Sequence, residues 1–246
     1  MYRFFTTPES TKEESIVIVG DDVNHIKNVL RLTIGEKITV SDGCEKEYIC
    51  SIKEINNQSV VADIEDVVNS VAELGTNIVL FQGYPKSDKL EVIIQKAVEL
   101  GVTSIVPVMT KRTIVKLDEK KADKKIDRFN QIALAAAKQS KRGLIPEVKP
   151  VMSFKEALKY ASSLEMNIIP YEDARGMEYA KSIISQIKGK KSLGIFIGPE
   201  GGFTEDEVKL AVEMGANVIT LGHRILRTET ASLAILSIVM FEIEKD

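Results

Sequence analysis

Arg224, Arg227 and Glu229 fall within six residues of one another in the stretch Leu221-Gly222-His223-Arg224-Ile225-Leu226-Arg227-Thr228-Glu229-Thr230-Ala231. Glu200 stands in a second glycine-rich stretch, Ile197-Gly198-Pro199-Glu200-Gly201-Gly202-Phe203-Thr204. Arginines offer fixed, permanently charged donors suited to an anion or to developing negative charge, and carboxylates offer proton acceptors. Glu200 lies between Pro199 and Gly201, so its carboxylate projects from the loop itself, a costly placement in a core and a natural one against a ligand. Alone, a Gly-Gly pair reads as a tight strand-to-helix turn, and 224–229 reads as an Arg–Glu ion pair with Thr228 or Thr230 capping a helix. Together, each stretch follows a short apolar run and leads into a helix, which is how α/β proteins build ligand sites beyond their strand ends.

Several chemistries are excluded at once. Neither stretch has the Gly-x-Gly-x-x-Gly spacing of dinucleotide sites or a Walker-type Gly-Lys-Ser/Thr. His25 and His223 have no nucleophile-elbow serine or cysteine to serve, so a hydrolytic triad is not expected. Cys44 and Cys50 lack a second ligand pair, which argues against a metal site and for thiols in a reducing cytoplasm. The N-terminus has no signal-peptide pattern, and no apolar run approaches the roughly 20 residues a membrane helix needs. The net charge of −3 is unevenly spread. Residues 1–70 carry 7 Lys/Arg against 13 Asp/Glu, whereas 111–128 carry 8 against 4, including Lys111, Arg112, Lys116, Lys120, Lys121 and Arg128. Such a local basic cluster can meet phosphates on an acidic protein, and equally describes a solvated helix face.

The elements that must position these residues fall into two regions. Residues 1–72 hold short runs of β-formers (Ser15–Val19, Lys37–Ser41, Glu47–Ile52, Ser59–Glu65) and one helical stretch from Asp22 to Arg31, which predicts a small β-barrel. Residues 73–246 alternate strand candidates (Ile78–Gln82, Ser104–Met109, Asn167–Tyr171, Leu193–Ile197, Asn217–Leu221) with helical patterns, which predicts a mostly parallel sheet covered on both faces. Asp88 is placed to cap a helix over Lys89–Leu100. Ser153 with Glu156 and Thr204 with Glu207 have capping-box spacing, and Phe203 with Val208 that of a hydrophobic staple. The last helix, from about Thr230 to Ile243, is apolar nearly all round and must be buried on several sides or at a subunit interface.

The two glycine stretches, with Pro85-Lys86-Ser87-Asp88-Lys89, Gln95–Gly101, Gln139-Ser140-Lys141-Arg142 and the N-terminal Tyr2-Arg3-Phe4-Phe5, His25–Arg31 and Gly35–Ile38, resemble the SPOUT methyltransferases. The match is to their ribosomal RNA small subunit methyltransferase E family, and it runs over essentially the whole chain. The resemblance implies a deep trefoil knot in the C-terminal part, a PUA-like N-terminal barrel, a homodimer, and S-adenosylmethionine as cofactor. By motif, the cofactor positions are Ile197, Gly198, Pro199, Gly201, Gly202, Leu221, Gly222, Ile225, Leu226 and Thr230. Arg112, Arg128 and Arg142 match basic RNA-facing positions, and Arg3 and Arg31 are expected to serve the barrel. Ala135 stands where the family usually has a glutamate, and no role is assigned to it.

The implied reaction is methylation of N3 of a uridine in 16S ribosomal RNA. Arg227, with Arg224 as second choice, is expected to stabilise charge spreading onto the uracil oxygens, and Glu200 or Glu229 to take the proton or orient the base. Ribose 2′-O-methylation and a non-catalytic RNA-binding role are the competing readings, and a nicotinamide-dependent oxidoreductase fails on the missing fingerprint.

Overall fold

Alternating burial along Ser15–Val19 and Lys37–Ser41 marks strands with one face on a core. The computed structural model describes every residue except 7–9, 12–13, 44–45, 71, 116–118, 173–175 and 245–246, and omits the side chains of 119–122. Cys44, Lys116 and the side chains of Lys120 and Lys121 therefore lie outside the described residues.

The first compact unit comprises Met1–Glu73 and Ala137–Ile145. Its strands are β1 (Tyr2–Phe5), β2 (Ser15–Val19), β3 (Lys37–Ser41), β4 (Lys46–Ile55) and β5 (Ser59–Asn69), in the order β1-β3-β4-β5-β2. β1 is parallel to β3 and the other neighbours are antiparallel. They enclose a core of Phe4, Ile16, Ile18, Ile38, Ile52 and Val60, joined by Val23 and Ile26 of the helical interruption. That interruption is α1 (Asp21–Asn24) continued by a π-helical turn over His25–Val29, so it stops before the expected end and leaves Arg31 with a left-handed φ of 54°. The Cys50 thiol is buried here; burial first, then the nearby carboxylates Glu65 and Asp63, push its pKa up to about 11, so it is an inert thiol.

Charge holds Ala137–Ile145 to this unit. Arg142 is only 2% exposed, and its Nε and NH2 donate to both oxygens of Glu73 at 2.6–3.1 Å. Glu73 also accepts the Gly143 and Leu144 N–H groups. Arg3 pairs with Glu47 through two nitrogens and donates to the Arg142 carbonyl. The phosphate role expected of Arg142 and the RNA-binding role expected of Arg3 in the barrel therefore conflict with their placement, since both guanidinium groups are engaged in an internal network. Removing one member of a buried pair strands the other. Arg142→Met is expected to destabilise this unit by about 3–5 kcal/mol, read as a drop in the midpoint of chemical denaturation.

The second unit comprises Leu74–Ala136 and Pro146–Asp246. In chain order it contains β6 (Asn77–Gly83), α2 (Lys89–Glu99), β7 (Ser104–Met109), α3 (Glu119–Gln139, its last three residues in the first unit), β8 (Glu147–Val148), β9 (Met152–Ser153) and α4 (Phe154–Ala161). There follow β10 (Met166–Pro170), α5 (Met177–Ser185), β11 (Ser192–Ile197), α6 (Glu205–Glu213), β12 (Asn217–Ile219) and α7 (Thr228–Ile243). The sheet order is β12-β10-β11-β6-β7-β8, with β9 beside β7, and every pairing is parallel. β6 and β11 are buried along almost their whole length, as a sheet covered on both faces requires. Val79, Phe81, Val108 and Phe196 pack with residues of α4 and α6, and the rings of Phe81 and Phe196 stack at 4.3 Å. Residues alternate across a strand, so Ile78, Leu80 and Gln82 face the other side, where α7 lies against β11 and α2.

The Ser153 and Thr204 capping boxes form as their spacing predicts. Asp88 does not cap α2 with its side chain: its backbone, at φ −88° and ψ 10°, is not in the extended geometry that turns a cap residue back onto the helix.

Candidate active site

Both glycine stretches leave the carboxyl ends of parallel strands in the same sheet. β11 runs into a turn in which the Gly202 N–H donates to the Pro199 carbonyl at 2.8 Å, with Gly202 at φ +67°. The turn is packed backbone to backbone. A Cβ on Gly198 would stand 2.9 Å from Gly202 Cα, and one on Gly83, at the end of β6, would stand 2.5 Å from Pro199 N. Behind it the buried Glu207 closes the cap of α6 with one oxygen and accepts the Lys111 N–H with the other at 2.7 Å. Arg112 reaches the same turn, donating to the Gly201 carbonyl at 2.7 Å.

The second stretch begins after β12. Gly222, at φ +109°, donates its N–H to Thr220 Oγ1. His223, Arg224, Ile225 and Arg227 are exposed, while Leu221, Gly222 and Leu226 are half-buried. Arg227 occupies the N-cap of α7 without a side-chain cap bond, so neither Thr228 nor Thr230 plays the expected capping part. Thr228 instead donates its hydroxyl to the Gly198 carbonyl at 2.6 Å and accepts from Gln82 Nε2 at 2.9 Å. Ser232 donates to Gln82 Oε1 at 2.6 Å. This buried chain ties the first glycine turn, β6 and the start of α7 into one body.

The two candidate carboxylates also meet. Lys89 Nζ, at the first residue of α2, lies 3.2 Å from Glu200 Oε1 and 3.3 Å from Glu229 Oε2. Glu200 further accepts the Lys86 N–H at 3.1 Å. Burial pushes the Glu200 carboxyl up, but its own amide, the Lys86 amide and the Lys89 ammonium outweigh burial and hold it below the usual carboxylate range. Glu229 Oε2 is shielded from water, with the Lys89 ammonium at 3.3 Å as its partner among the described residues. The Arg–Glu pair expected within 224–229 does not form: the partner of Glu229 is Lys89, and neither arginine pairs with a described carboxylate.

Sequence reading missed Gly83, Gln82, Lys89, Thr228 and Ser232. The signal was present for three of them, a glutamine at the end of an apolar strand and a Thr/Ser pair four residues apart on an apolar helix. It also passed over Pro170-Tyr171-Glu172. β10 lies between β11 and β12, and its exit, where the Tyr171 N–H donates to the Ile219 carbonyl, joins the same rim. Among the basic residues, Arg31 is exposed in the first unit, and Arg112 and Arg128 are exposed in the second. Arg128 pairs there with Glu91 at 2.9 Å.

The class of protein is an RNA-modifying transferase: residues 72–240 match the RNA methyltransferase domain and residues 18–65 the RNA methyltransferase PUA domain. The chain is 37% identical to ribosomal RNA small subunit methyltransferase E of Bacillus subtilis, over 99% of this chain and 98% of that protein. It is 34% identical to the protein of that name from Mesomycoplasma hyopneumoniae, over 96% and 98%. The crystal structure of ribosomal RNA small subunit methyltransferase E from Neisseria gonorrhoeae, bound to S-adenosyl methionine, superposes with a TM-score of 0.81 at 34% identity, over 96% of this chain and 95% of that one. The chain belongs to the ribosomal RNA small subunit methyltransferase E family.

Proposed function

We propose that this protein transfers a methyl group from S-adenosylmethionine to N3 of one uridine in 16S ribosomal RNA. The observation that carries this reading is the convergence of two glycine-rich loops, from β11 and β12, with the start of α7 on one rim of the sheet. The rim suits the cofactor. Nothing lies within 4 Å of where a Cβ would stand on Gly202 or Gly222, so a ligand can approach the backbone closely at both. Ile197, Gly198, Pro199, Gly201, Gly202, Leu221, Gly222, Ile225, Leu226 and Thr230 would hold it, and when bound it supplies an electrophilic methyl on a cationic sulfur. Glu200, Glu229 and Lys89 together carry one net negative charge beside that position.

The chain's own residues then divide the work on the uracil. The imide proton must leave N3, and the resulting charge spreads onto O2 and O4. Arg227, with Arg224 beside it in sequence, is the donor for that charge. Glu229 is the freer proton acceptor, because Glu200 is held below the usual carboxylate range by backbone amides as well as by Lys89, while Glu229 has the Lys89 ammonium alone as its partner among the described residues. N3 is blocked in a paired uridine, so the target must be unpaired or extruded, with Arg31, Arg112 and Arg128 on phosphates.

The first unit, which takes in Ala137–Ile145 beyond the expected 1–72, is the PUA-like RNA-binding part and the second is the catalytic part, its C-terminal segment forming the family's trefoil knot. The active form is a homodimer in the cytoplasm. Supporting the dimer, α7 exposes Phe241 (86%) and Ile238 (45%), and α2 exposes Val92 beside a shallow groove lined by Leu233 and Ala234. No described helix is long and apolar enough to cross a membrane.

The test uses labelled S-adenosylmethionine and small ribosomal subunits lacking the modification. Label in 16S RNA with a reverse-transcriptase stop at one uridine is the expected result. Label without a stop, accompanied by resistance to alkaline cleavage, would assign the protein to ribose methylation instead.

A further inference from the structure

We propose that Lys89 is a positioning residue that locks the Glu200 turn to the first turn of α7 and thereby fixes the Glu229 carboxylate over the rim. This rests on the reading of Glu229 as proton acceptor above.

Lys89 is badly placed for helix stability. It is the first residue of α2, the end at which the helix dipole disfavours a cation. The preceding loop is also costly, because Ser87 is one of three non-glycine residues with positive φ among those described, at 55°. What Lys89 has in return is two carboxylates from two other segments, Glu200 at 3.2 Å and Glu229 at 3.3 Å, each partly shielded. Among the described residues no other cation lies within ion-pair distance of either carboxylate. Without the ammonium, two negative groups would face each other across the rim and push the loops apart.

Lys89 itself is no base. Its bond to Glu200 above all, opposed by desolvation and aided by Glu229, raises its pKa, so it stays an ammonium at any working pH. The chain leading into α2 reaches the Glu200 turn twice more, through the Lys86 N–H and through Gly83, at the end of β6, against Pro199. One side chain therefore connects the loop after β6, the loop after β11 and the start of α7. Holding a catalytic group in a productive geometry is worth orders of magnitude in rate, and a loose carboxylate loses it.

The experiment compares Lys89→Met, Lys89→Gln and Lys89→Arg with the wild-type protein in two measurements. Hydrogen–deuterium exchange without ligand is expected to rise in Lys89→Met at both 199–202 and 228–231, and to stay near wild type in Lys89→Arg. Single-turnover methyl transfer at saturating S-adenosylmethionine and RNA is expected to fall roughly 10- to 100-fold in Lys89→Met, with the arginine variant recovering most of it. Lys89→Gln, which keeps length and polarity, carries the same expectation should the methionine variant fold poorly. Faster exchange confined to the start of α2, or an unchanged transfer rate in both neutral variants, would overturn the proposal. Failure of the wild-type protein to methylate uridine would sink the functional reading instead, and the exchange measurement would still decide whether Lys89 bridges the two loops.

Discussion

Gly198→Ala is expected to weaken S-adenosylmethionine binding by roughly 5- to 150-fold, the equivalent of about 1–3 kcal/mol of overpacking. The added methyl would stand 2.9 Å from both Cα and the carbonyl carbon of Gly202 and 3.1 Å from Phe203 N. All three are backbone atoms, so no side chain can swing away to make room. The turn must open, and with it moves the Gly198 carbonyl that accepts the Thr228 hydroxyl, so the disturbance reaches α7. Gly202→Ala provides the contrast. Its Cβ meets nothing within 4 Å, and only the cost of φ +67° remains, about 1–2 kcal/mol. Calorimetric titration with S-adenosylmethionine, alongside thermal midpoints, separates lost affinity from lost fold. Wild-type affinity in Gly198→Ala would mean that the turn does not border the cofactor.

Arg227→Ala is expected to lower the single-turnover rate by roughly 10²- to 10³-fold, the range for removing one donor to developing charge. Cofactor affinity and stability should hardly change. The Arg227 side chain is exposed and makes no cap bond at the start of α7, so its removal costs the helix little. Arg227→Lys should recover only part of the rate, because an ammonium keeps the charge but not the planar fork. Arg224→Ala is expected to have the smaller effect. A rate in Arg227→Ala equal to wild type would remove Arg227 from the chemistry.

The legible features in the sequence were those encoded within a few residues. Thr204 and Glu207 announce a capping box, and Gly101 and Gly215 end α2 and α6 at φ +92° and +89° because only local geometry decides those points. Apolar runs such as Ile78–Gln82 and Leu193–Ile197 read correctly because a strand buried on both faces has no polar alternation to confuse it. What escaped depends on contacts across the chain. Arg142 looked like a phosphate ligand in a basic run, and only Glu73, 69 positions away, reveals it as an internal ion pair. Ala137–Ile145 joins the first unit although it is separated from it by 63 residues of the second. Lys89 lies 111 positions from Glu200 and 140 from Glu229, and no pattern in its own helix points to either. Glu200 and Glu229 were equivalent on paper; the bonds that weaken Glu200 as a base come from its own amide, from the distant Lys86 amide and from Lys89.

The most direct measurement is the chemical identity of the product. Small subunits lacking the modification are incubated with the wild-type protein and methyl-labelled S-adenosylmethionine, the 16S RNA is digested to nucleosides, and the labelled nucleoside is fragmented in a mass spectrometer. The expected result is a single nucleoside that co-elutes with 3-methyluridine and carries the label on its base fragment. Label on the ribose fragment, or RNA that stays unlabelled while the cofactor binds, would contradict methyl transfer to N3 at this site.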